Sequence, residues 1–252
     1  MVDLAEADGH DMRPTPTEMN EDDSEIIESI PRGNDSADDV AVESSLSAQE
    51  SLIEPRTSFS SYLQSPIISI SVGSGPAATT LTAHTALLAQ ASFFATPPTE
   101  AIDLATEDPA AVGSFLEYLY TGEYFPRKLA GQRTLERDVT IPAVDDSGAQ
   151  LLRHARVYTL ADRWGVGPLK ALAISKIHCI ESTARGEIAY ARYVYAHTKP
   201  DDGVVRAPVA NYWATRSHSL RAEADEEFRA LCLEFPQFGY DVLSKCALSG
   251  GG

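Results

Sequence analysis

The pattern of apolar and polar positions separates a polar N-terminal segment from the rest of the chain. From residue 1 to about residue 54 the sequence is rich in Asp, Glu, Ser and Pro and contains no aromatic residue. Such a segment cannot bury enough apolar surface to offset the entropy lost on ordering. We therefore predict a disordered acidic tail over residues 1–54. A short acidic docking motif between Glu21 and Ile30 is the alternative for part of it.

Short apolar runs predict a small sheet after this tail. Isoleucine and valine dominate residues 67–72, and glycines at positions 73 and 75 end that run, so we predict a buried strand there. A second strand over residues 78–82 would close a hairpin, and residues 102–104 resemble a third short strand. Before the first strand, Phe59, Tyr62 and Leu63 have the i, i+3, i+4 spacing of a short amphipathic helix.

The helix with the clearest local signals follows the third predicted strand. Asp108 is suited to cap the free N–H groups, and Pro109 would occupy the first turn, where its missing N–H costs nothing. Gly122 is a natural C-terminal stop. The predicted buried stripe of this helix consists of Val112, Phe115, Leu116 and Leu119.

Helical spacing predicts most of the remaining elements. One short helical face begins at His84 and includes Leu87, Leu88 and Ala91. Residues 128–150 have mixed charge and scattered Gly and Pro, so we predict a long loop there, with an extra strand at 139–141 as an option. Further helices are predicted at 151–164, from Pro168 onward, at 187–197, 206–218 and 222–233, and after Pro236. The predicted fold class is α+β, with an all-helical C-terminal extension over residues 181–248.

Charge and cysteine content restrict the classes of function. The formal net charge is −17, and residues 1–60 carry −13 of it. This balance opposes binding to nucleic acid or to an anionic membrane, so neither is an expected partner. Three dispersed cysteines form no disulfide framework and no zinc motif. The N-terminus lacks the pattern of a signal peptide, and we expect an intracellular protein, either cytoplasmic or nuclear.

Three blocks of sequence resemble the BTB/POZ family. The first covers residues 81–94, LTAHTALLAQASFF, and the second runs from residue 102 through FLEYLYTGEY at 115–124. The third, VYTLADRW at 157–164, is followed by Leu169 and Lys170. The stretch Leu-Tyr-Thr-Gly-Glu-Tyr is the most specific. The residues that carry this signature are His84, Leu87, Leu88, Ser92, Phe93, Phe94, Asp108, Tyr120, Gly122, Tyr158 and Ala161.

The resemblance covers about residues 56–180, and the helices after residue 187 look like the tail of fungal BTB proteins. It implies a three-stranded sheet packed on a cluster of helices, with self-association or partner binding as the function. In BTB dimers the first helix crosses to the second subunit. The candidate interaction surface is therefore Phe59, Tyr62, Leu63 and Ile67, and the expected partner is a second copy or another protein. The alternative is that this helix folds back on its own domain.

A second functional alternative is a substrate adaptor of a cullin-based ubiquitin ligase. Adaptors of the family carry an apolar-x-Glu segment on a helix shortly after the Ser-x-Phe residues. Here Pro97 and Pro98 follow Phe94 within a few residues, and Pro98-Thr99-Glu100 is a remnant at best. No kelch repeat or zinc finger supplies a substrate module. The sequence therefore favours the interaction module over the adaptor.

The residues that could support catalysis have structural explanations. His84 has no catalytic partner nearby in sequence, and the family fills this position for structure. Ser74 lacks the preceding glycine of a nucleophile elbow, and no glycine-rich loop is followed by Lys-Ser or Lys-Thr. His178 and Cys179 are adjacent and would point about 100° apart on a helix. We therefore predict no catalytic residue, no cofactor and no metal site.

Two other groups of residues have simple interpretations. Arg127, Lys128, Arg133 and Arg137 form a basic cluster that Glu136 interrupts, and it lacks the aromatic residues that would stack on bases. We interpret it as a solvated loop. The tyrosines at 190, 193 and 195 do not share one helical face, and core packing is the simplest interpretation for at least one of them.

Overall fold

The computed structural model describes residues 58–96 and 98–249. The predicted tail over residues 1–54 lies outside these residues. The described chain is a mixed α/β structure with one small three-stranded sheet and predominantly helices, which confirms the predicted class. Its helices are α1 (Phe59–Leu63), α2 (Thr85–Leu88), α3 (Pro109–Thr121), α4 (Ala149–Trp164), α5 (Gly167–Ile177), α6 (Ala184–His197), α7 (Gly203–Glu234) and α8 (Pro236–Ser249), and its strands are β1 (Ile67–Val72), β2 (Thr79–His84) and β3 (Ile102–Leu104).

The sheet has the order β2-β1-β3, with β1 in the centre. Strand β1 is antiparallel to β2 and parallel to β3. Its side chains alternate strictly: Ile68, Ile70 and Val72 are buried, and the residues between them are exposed. This period of two is what a strand with one face on the core requires.

The predicted boundary between β2 and the next helix was wrong. Strand β2 continues to His84, because the ladder with β1 extends to the pair Ile67–His84. The helix that follows, α2, has only four residues. His84, Leu87, Leu88 and Ala91 therefore do not share one helical face. His84 ends a strand, and Ala91 precedes a short 3₁₀ turn over Ser92–Phe94.

Helix α3 has the ends that its sequence predicts. The Asp108 carboxylate accepts a hydrogen bond of 2.9 Å from the N–H of Ala111. Pro109 occupies the first turn, and Gly122 ends the helix in the left-handed conformation with φ of 74°. The predicted cap and stop are therefore confirmed.

Residues 123–148 form the long connection between α3 and α4. The optional strand at 139–141 is absent, because the Asp138 carboxylate accepts hydrogen bonds from the N–H and hydroxyl of Thr140 and holds the chain in a turn. Backbone pairing occurs earlier instead, between Lys128 and Leu135. A second bridge joins Asp145 to Ser182.

The two predicted helices at 206–218 and 222–233 correspond to the two parts of α7, which meet at a kink. The predicted break after residue 218 lies a few residues too early, since Leu220 still belongs to the first part and is buried like Trp213 one heptad earlier. The kink lies at Ala224, whose φ and ψ are −151° and 51°. The helix starts at Gly203, so Pro208 lies inside it, where it removes one backbone hydrogen bond.

Two aromatic groups mark the core. Phe94 and Phe115 both pack edge-on against Trp164, at 5.3 and 4.5 Å between ring centroids. The second group lies among the C-terminal helices, where Phe238 contacts Trp213, Tyr195 and Phe228. Helix α4 lies between the two groups because it packs against α3, α5 and α6. Among the helices of residues 58–96 and 98–249, none is long and apolar enough to cross a membrane.

Candidate interaction surface

Helix α1 is short and lies against the surface of the domain. It has five residues and none of them is buried. The turn after it is fixed by two contacts with the start of α2: the N–H of Ala86 donates to the Ser65 hydroxyl at 3.2 Å, and the N–H of Thr85 donates to the carbonyl of Pro66 at 2.9 Å. The position of α1 is therefore set mainly by the turn that follows it.

The candidate surface residues on α1 and β1 are largely open to solvent. Phe59, Leu63 and Ile67 are 50%, 46% and 66% exposed, and Tyr62 is half-buried. In the predicted alternative the helix folds back on its own domain. Such packing shields half of Tyr62 but leaves about half or more of each of the other three side chains in solvent. These four residues form the apolar stripe considered below.

The rest of the outer sheet surface is polar. On β1, Ser69 and Ser71 face outward and pair with Thr82 and Thr80 of β2. Asp103 of β3 is exposed beside Ser71. Ile67 is thus the exception to an otherwise hydroxyl-rich face, and it lies at the end of the strand nearest α1. The apolar stripe is local and is not part of a generally apolar sheet face.

His84 is held by one side chain from α3. The Tyr120 hydroxyl accepts a hydrogen bond of 3.0 Å from the backbone N–H of His84. The same hydroxyl forms a second hydrogen bond, of 2.7 Å, with Nδ1 of His84. This arrangement ties the end of β2 to α3, as a structural histidine would.

Ser92, Phe93 and Phe94 all contact Trp164 at the end of α4. The Ser92 hydroxyl donates to the Trp164 carbonyl at 3.2 Å. Phe94 is buried, whereas Phe93 is 57% exposed and stacks on the indole at 5.6 Å. Gly165 follows in the left-handed conformation, and a Cβ there would lie 1.9 Å from Oγ of Ser92. Glycine is therefore required at this contact.

The remaining signature residues connect α4 to its neighbours. Asp108 caps α3 with one carboxylate oxygen and binds Arg156 with the other at 2.9 Å. The Tyr158 hydroxyl donates to both oxygens of Asp202, at 2.9 and 3.0 Å. Burial and this carboxylate raise the pKa of Tyr158 to about 12. Leu87, Leu88 and Ala161 are core residues without polar chemistry.

Lys176 is a buried cation that sequence reasoning missed. Its ammonium lies 2.6 Å from the Glu123 carboxylate and donates to the carbonyls of Tyr124 and Pro126, the latter at 2.7 Å. It also lies 3.7 Å from the centre of the Tyr124 ring. Burial lowers the pKa of Lys176, and Glu123 opposes that change. The sequence feature that could have predicted its burial is its position seven residues after Leu169, on the apolar stripe of α5.

His154 and Glu187 are buried groups with displaced pKa values. Nδ1 of His154 and the Tyr124 hydroxyl are joined by a hydrogen bond of 2.9 Å. Burial, followed by the charges of Lys176 and Arg153, lowers the pKa of His154 to about 3. Burial raises the pKa of Glu187, while the bond from the Ser182 hydroxyl to its carboxylate acts in the opposite direction. Each of the two residues lies on the apolar face of its helix, and this position could have predicted its burial from the sequence.

The other groups considered from sequence have ordinary surroundings. Tyr190 and Tyr195 are buried, and the Tyr193 hydroxyl lies 2.8 Å from that of Thr159, so these tyrosines pack α6 against the rest of the domain. The thiol of Cys179 donates to the Ser175 carbonyl. Within the described part of the chain, no group of His, Cys, Asp and Glu side chains has the arrangement of a metal site.

Comparisons with models of protein families, with curated proteins and with solved structures found no match to this chain.

Proposed function

We propose that this chain is a non-enzymatic protein–protein interaction module of the BTB/POZ type, which self-associates through the apolar stripe. The observation that carries the proposal is the exposure of Phe59, Leu63 and Ile67 beside a sheet face that is otherwise polar. Exposed apolar clusters of this kind mark interaction sites more often than isolated apolar residues do.

Contacts between the three BTB-like blocks support the family assignment. His84 of the first block is bonded to Tyr120 of the second. Phe94 of the first block and Phe115 of the second both pack on Trp164 of the third. The blocks thus meet in one core, as expected if their order and spacing specify a single fold. The central β1, antiparallel to β2 and parallel to β3, is consistent with the same family.

The length and the exposure of α1 support self-association. A helix of five residues is too short to be stable alone in water, because nucleation costs more than so few hydrogen bonds return. Here it buries none of its residues within its own domain. A second copy, related by a two-fold axis, would cover Phe59 and Leu63 with the same residues of its own α1. Burial of each large apolar side chain would contribute about 1–2 kcal/mol.

The proposal does not include catalysis, because the buried histidine and lysine with displaced pKa values serve packing. His154 and Lys176 are almost completely buried. Nδ1 of His154 is hydrogen-bonded to the Tyr124 hydroxyl, and the Lys176 ammonium is hydrogen-bonded to the Pro126 carbonyl. A substrate could not reach either side chain without opening the core.

The adaptor alternative receives less support from the chain after Phe94. The described residues between the 3₁₀ turn at Ser92–Phe94 and β3 contain no α-helix that could present an apolar-x-Glu segment. Glu100 is exposed in a bend. Specific enrichment of a cullin in a pull-down followed by mass spectrometry would favour the adaptor.

Light scattering coupled to size exclusion tests the self-association. The full chain should be measured at tens of micromolar in about 0.3 M salt, because two copies of charge −17 repel each other more strongly at low ionic strength. Wild type should have the mass of a dimer. The double variant Phe59→Asp, Leu63→Asp should be folded and monomeric.

A matched control places the same change on another exposed apolar pair. Tyr240 and Leu243 on α8 are 67% and 70% exposed, and the variant Tyr240→Asp, Leu243→Asp should remain dimeric. A monomeric wild type would contradict self-association. A dimer that the α8 variant disrupts and the α1 variant does not would assign the contact to a different surface.

A further inference from the structure

The long connection between α3 and α4 contains a small β-hairpin at residues 127–136. The N–H of Leu129 donates to the carbonyl of Thr134 at 3.0 Å, and the N–H of Glu136 donates to the carbonyl of Arg127 at 2.7 Å. These two bonds enclose the pair Lys128 and Leu135. Gly131, with φ of 71°, lies in the turn.

The second strand of this hairpin has a free edge. In an antiparallel pair, residues alternate between those whose backbone groups point to the partner strand and those whose groups point away. Thr134 and Glu136 point to the partner, so Leu135 and Arg137 point away. Over residues 58–96 and 98–249, neither the N–H nor the carbonyl of Leu135 or Arg137 has a hydrogen-bonding partner. An unpaired edge of this kind can accept another strand.

This edge borders a cleft of about 450 Å³. Its lining includes Leu135 with the residues on either side of it, Cys179 to Glu181 after α5, and the pair Ile141 and Pro142. The volume is within the range of ligand-binding sites, and the lining combines apolar with charged residues.

The hairpin and Arg137, the residue that follows it, carry four basic side chains without an ion pair in the described chain. Arg127, Lys128, Arg133 and Arg137 form no ion pair within residues 58–96 and 98–249, although the whole chain has a charge of −17. Arg133 and Arg137 line the cleft. Three carboxylates also line the cleft: the Glu136 carboxylate accepts the N–H of Arg127, and Asp138 is bonded to Thr140 and lies 3.8 Å from Arg153. Glu181 is the third.

Hydrogen bonds anchor the cleft to the domain at Pro126 and at Glu181. The buried ammonium of Lys176 holds the carbonyl of Pro126 at the base of the hairpin. On the other side, the N–H of Asp145 donates to the Glu181 carbonyl at 2.8 Å, and the Asp145 carboxylate accepts the N–H groups of Gln150 and Leu151 at the start of α4. Such preorganisation reduces the entropy that a ligand must lose on binding.

We propose that this cleft binds a short extended peptide that carries both carboxylate and aliphatic side chains. The peptide adds as a third strand beside Leu135 and Arg137 and bonds to their free N–H and carbonyl groups. Its carboxylates pair with Arg133 and Arg137, and its aliphatic side chains lie against Ile141 and Ile180. The basic cluster is then a recognition surface and not only a solvated loop. This inference is independent of the proposed self-association.

Fluorescence anisotropy with the full chain tests the proposal. The probe is a labelled peptide of about eight residues that alternates valine and glutamate, a length that covers the free edge at about 3.3 Å per residue. It should bind saturably, and affinity should fall as salt rises. Two comparison peptides should bind at least about tenfold more weakly. One has lysine in place of glutamate, and the other has N-methylated valines that cannot donate backbone hydrogen bonds.

Protein variants locate the bound peptide. Removal of the cleft charges by Arg133→Gln, Arg137→Gln should weaken binding by about tenfold or more, because two charge-assisted bonds are lost. The matched variant Arg127→Gln, Lys128→Gln removes the same charge from the same hairpin outside the cleft lining, and its effect should be at most about threefold. Leu135→Pro removes one donor at the free edge and should weaken binding without loss of the folded state.

Three results would overturn the proposal. The first is a lack of saturable binding up to about 1 mM peptide. The second is equal loss of affinity in the two glutamine variants, which would indicate attraction to net charge alone. The third is unchanged affinity of the N-methylated peptide, which would exclude strand addition without reliance on any protein variant. The variant Phe59→Asp, Leu63→Asp should bind the probe as wild type does. A loss of peptide binding can therefore be distinguished from a loss of self-association.

Discussion

The Tyr120 hydroxyl binds His84 twice, at 3.0 Å from its backbone nitrogen and 2.7 Å from Nδ1. One oxygen atom thus joins the last residue of β2 to α3. The contact connects the sheet, which carries Ile67, to the helix that supplies Phe115 to the core. It also gives His84 a structural role.

Replacement of Tyr120 by Phe should destabilise the protein. Both His84 groups would lose their partner in a half-buried place, and a loss of about 1–2 kcal/mol in the free energy of unfolding is expected. Urea denaturation of the two proteins measures it. Tyr118→Phe on the same helix is the control, because the Tyr118 hydroxyl has no hydrogen bond to another described residue. Equal effects of the two changes would argue against the assigned role of the Tyr120 hydroxyl.

Lys176→Met should cost more than the loss of a surface ion pair. The variant would leave Glu123 and the carbonyls of Tyr124 and Pro126 without their donor, and we expect a loss of about 2–4 kcal/mol. Lys170→Met is the matched control: Lys170 is partly exposed and pairs with Asp162 and Asp202, so about 1 kcal/mol is expected there. Urea denaturation compares both. A smaller loss for Lys176→Met than for Lys170→Met would contradict this assignment.

The stability should fall in mild acid because of His154. The pKa of His154 is about 3 in the folded protein and 6.5 in the unfolded chain. The unfolded chain therefore binds more protons than the folded protein between these two pH values. The contribution of neutral His154 to the free energy of unfolding is therefore fully present above about pH 6.5. It decreases as the pH falls, by at most about 1.4 kcal/mol per pH unit. Glu187 acts in the opposite sense, because its pKa is raised and the folded protein keeps its proton longer.

Unfolding free energies at about pH 7 and about pH 5 isolate the histidine contribution. The variant His154→Asn should have a weaker dependence than wild type, whereas His218→Asn, at an exposed position on α7, should have the same dependence as wild type. An unchanged dependence in His154→Asn would show that other groups cause the effect.

Gly165→Ala should be strongly destabilising. The new Cβ would collide with Oγ of Ser92, and the residue has φ of 72°, which favours glycine. We expect a loss of more than about 2 kcal/mol, as measured by thermal or urea unfolding. Gly167→Ala lies two residues away in open space and should change stability little. Addition of Ser92→Ala to Gly165→Ala should recover part of the loss, and lack of any recovery would contradict the proposed collision.

Local signals in the sequence were sufficient for much of the fold. Asp108, Pro109 and Gly122 specify the ends of α3 through the backbone groups of their own neighbours, and the alternation in β1 specifies its buried face. These features depend on residues within about one turn or one strand. The spacing of Phe59, Tyr62 and Leu63 likewise predicted the short helix that the structure has there.

Features that depend on distant partners were missed. The end of β2 is set by pairing with Ile67, and the role of Lys176 is set by Glu123, more than fifty residues earlier. The hairpin at 127–136 has weak alternation in sequence, and its base at Pro126 is held by Lys176, fifty residues later. The break between the two parts of α7 was predicted a few residues too early, because no Gly or Pro marks its position at Ala224. Tertiary contacts outweigh local propensity in each case.

Photo-crosslinking from position 63 tests the central claim most directly. Leu63 is replaced by p-benzoylphenylalanine in the full chain, and the protein is irradiated at tens of micromolar as a mixture of normal and ¹⁵N-labelled copies. We expect a covalent dimer that joins normal and labelled chains, with the crosslink mapped by mass spectrometry to α1 or the start of β1 in the second copy. Crosslinks only within one chain, or a crosslinked dimer mapped to another surface such as α8, would contradict the account.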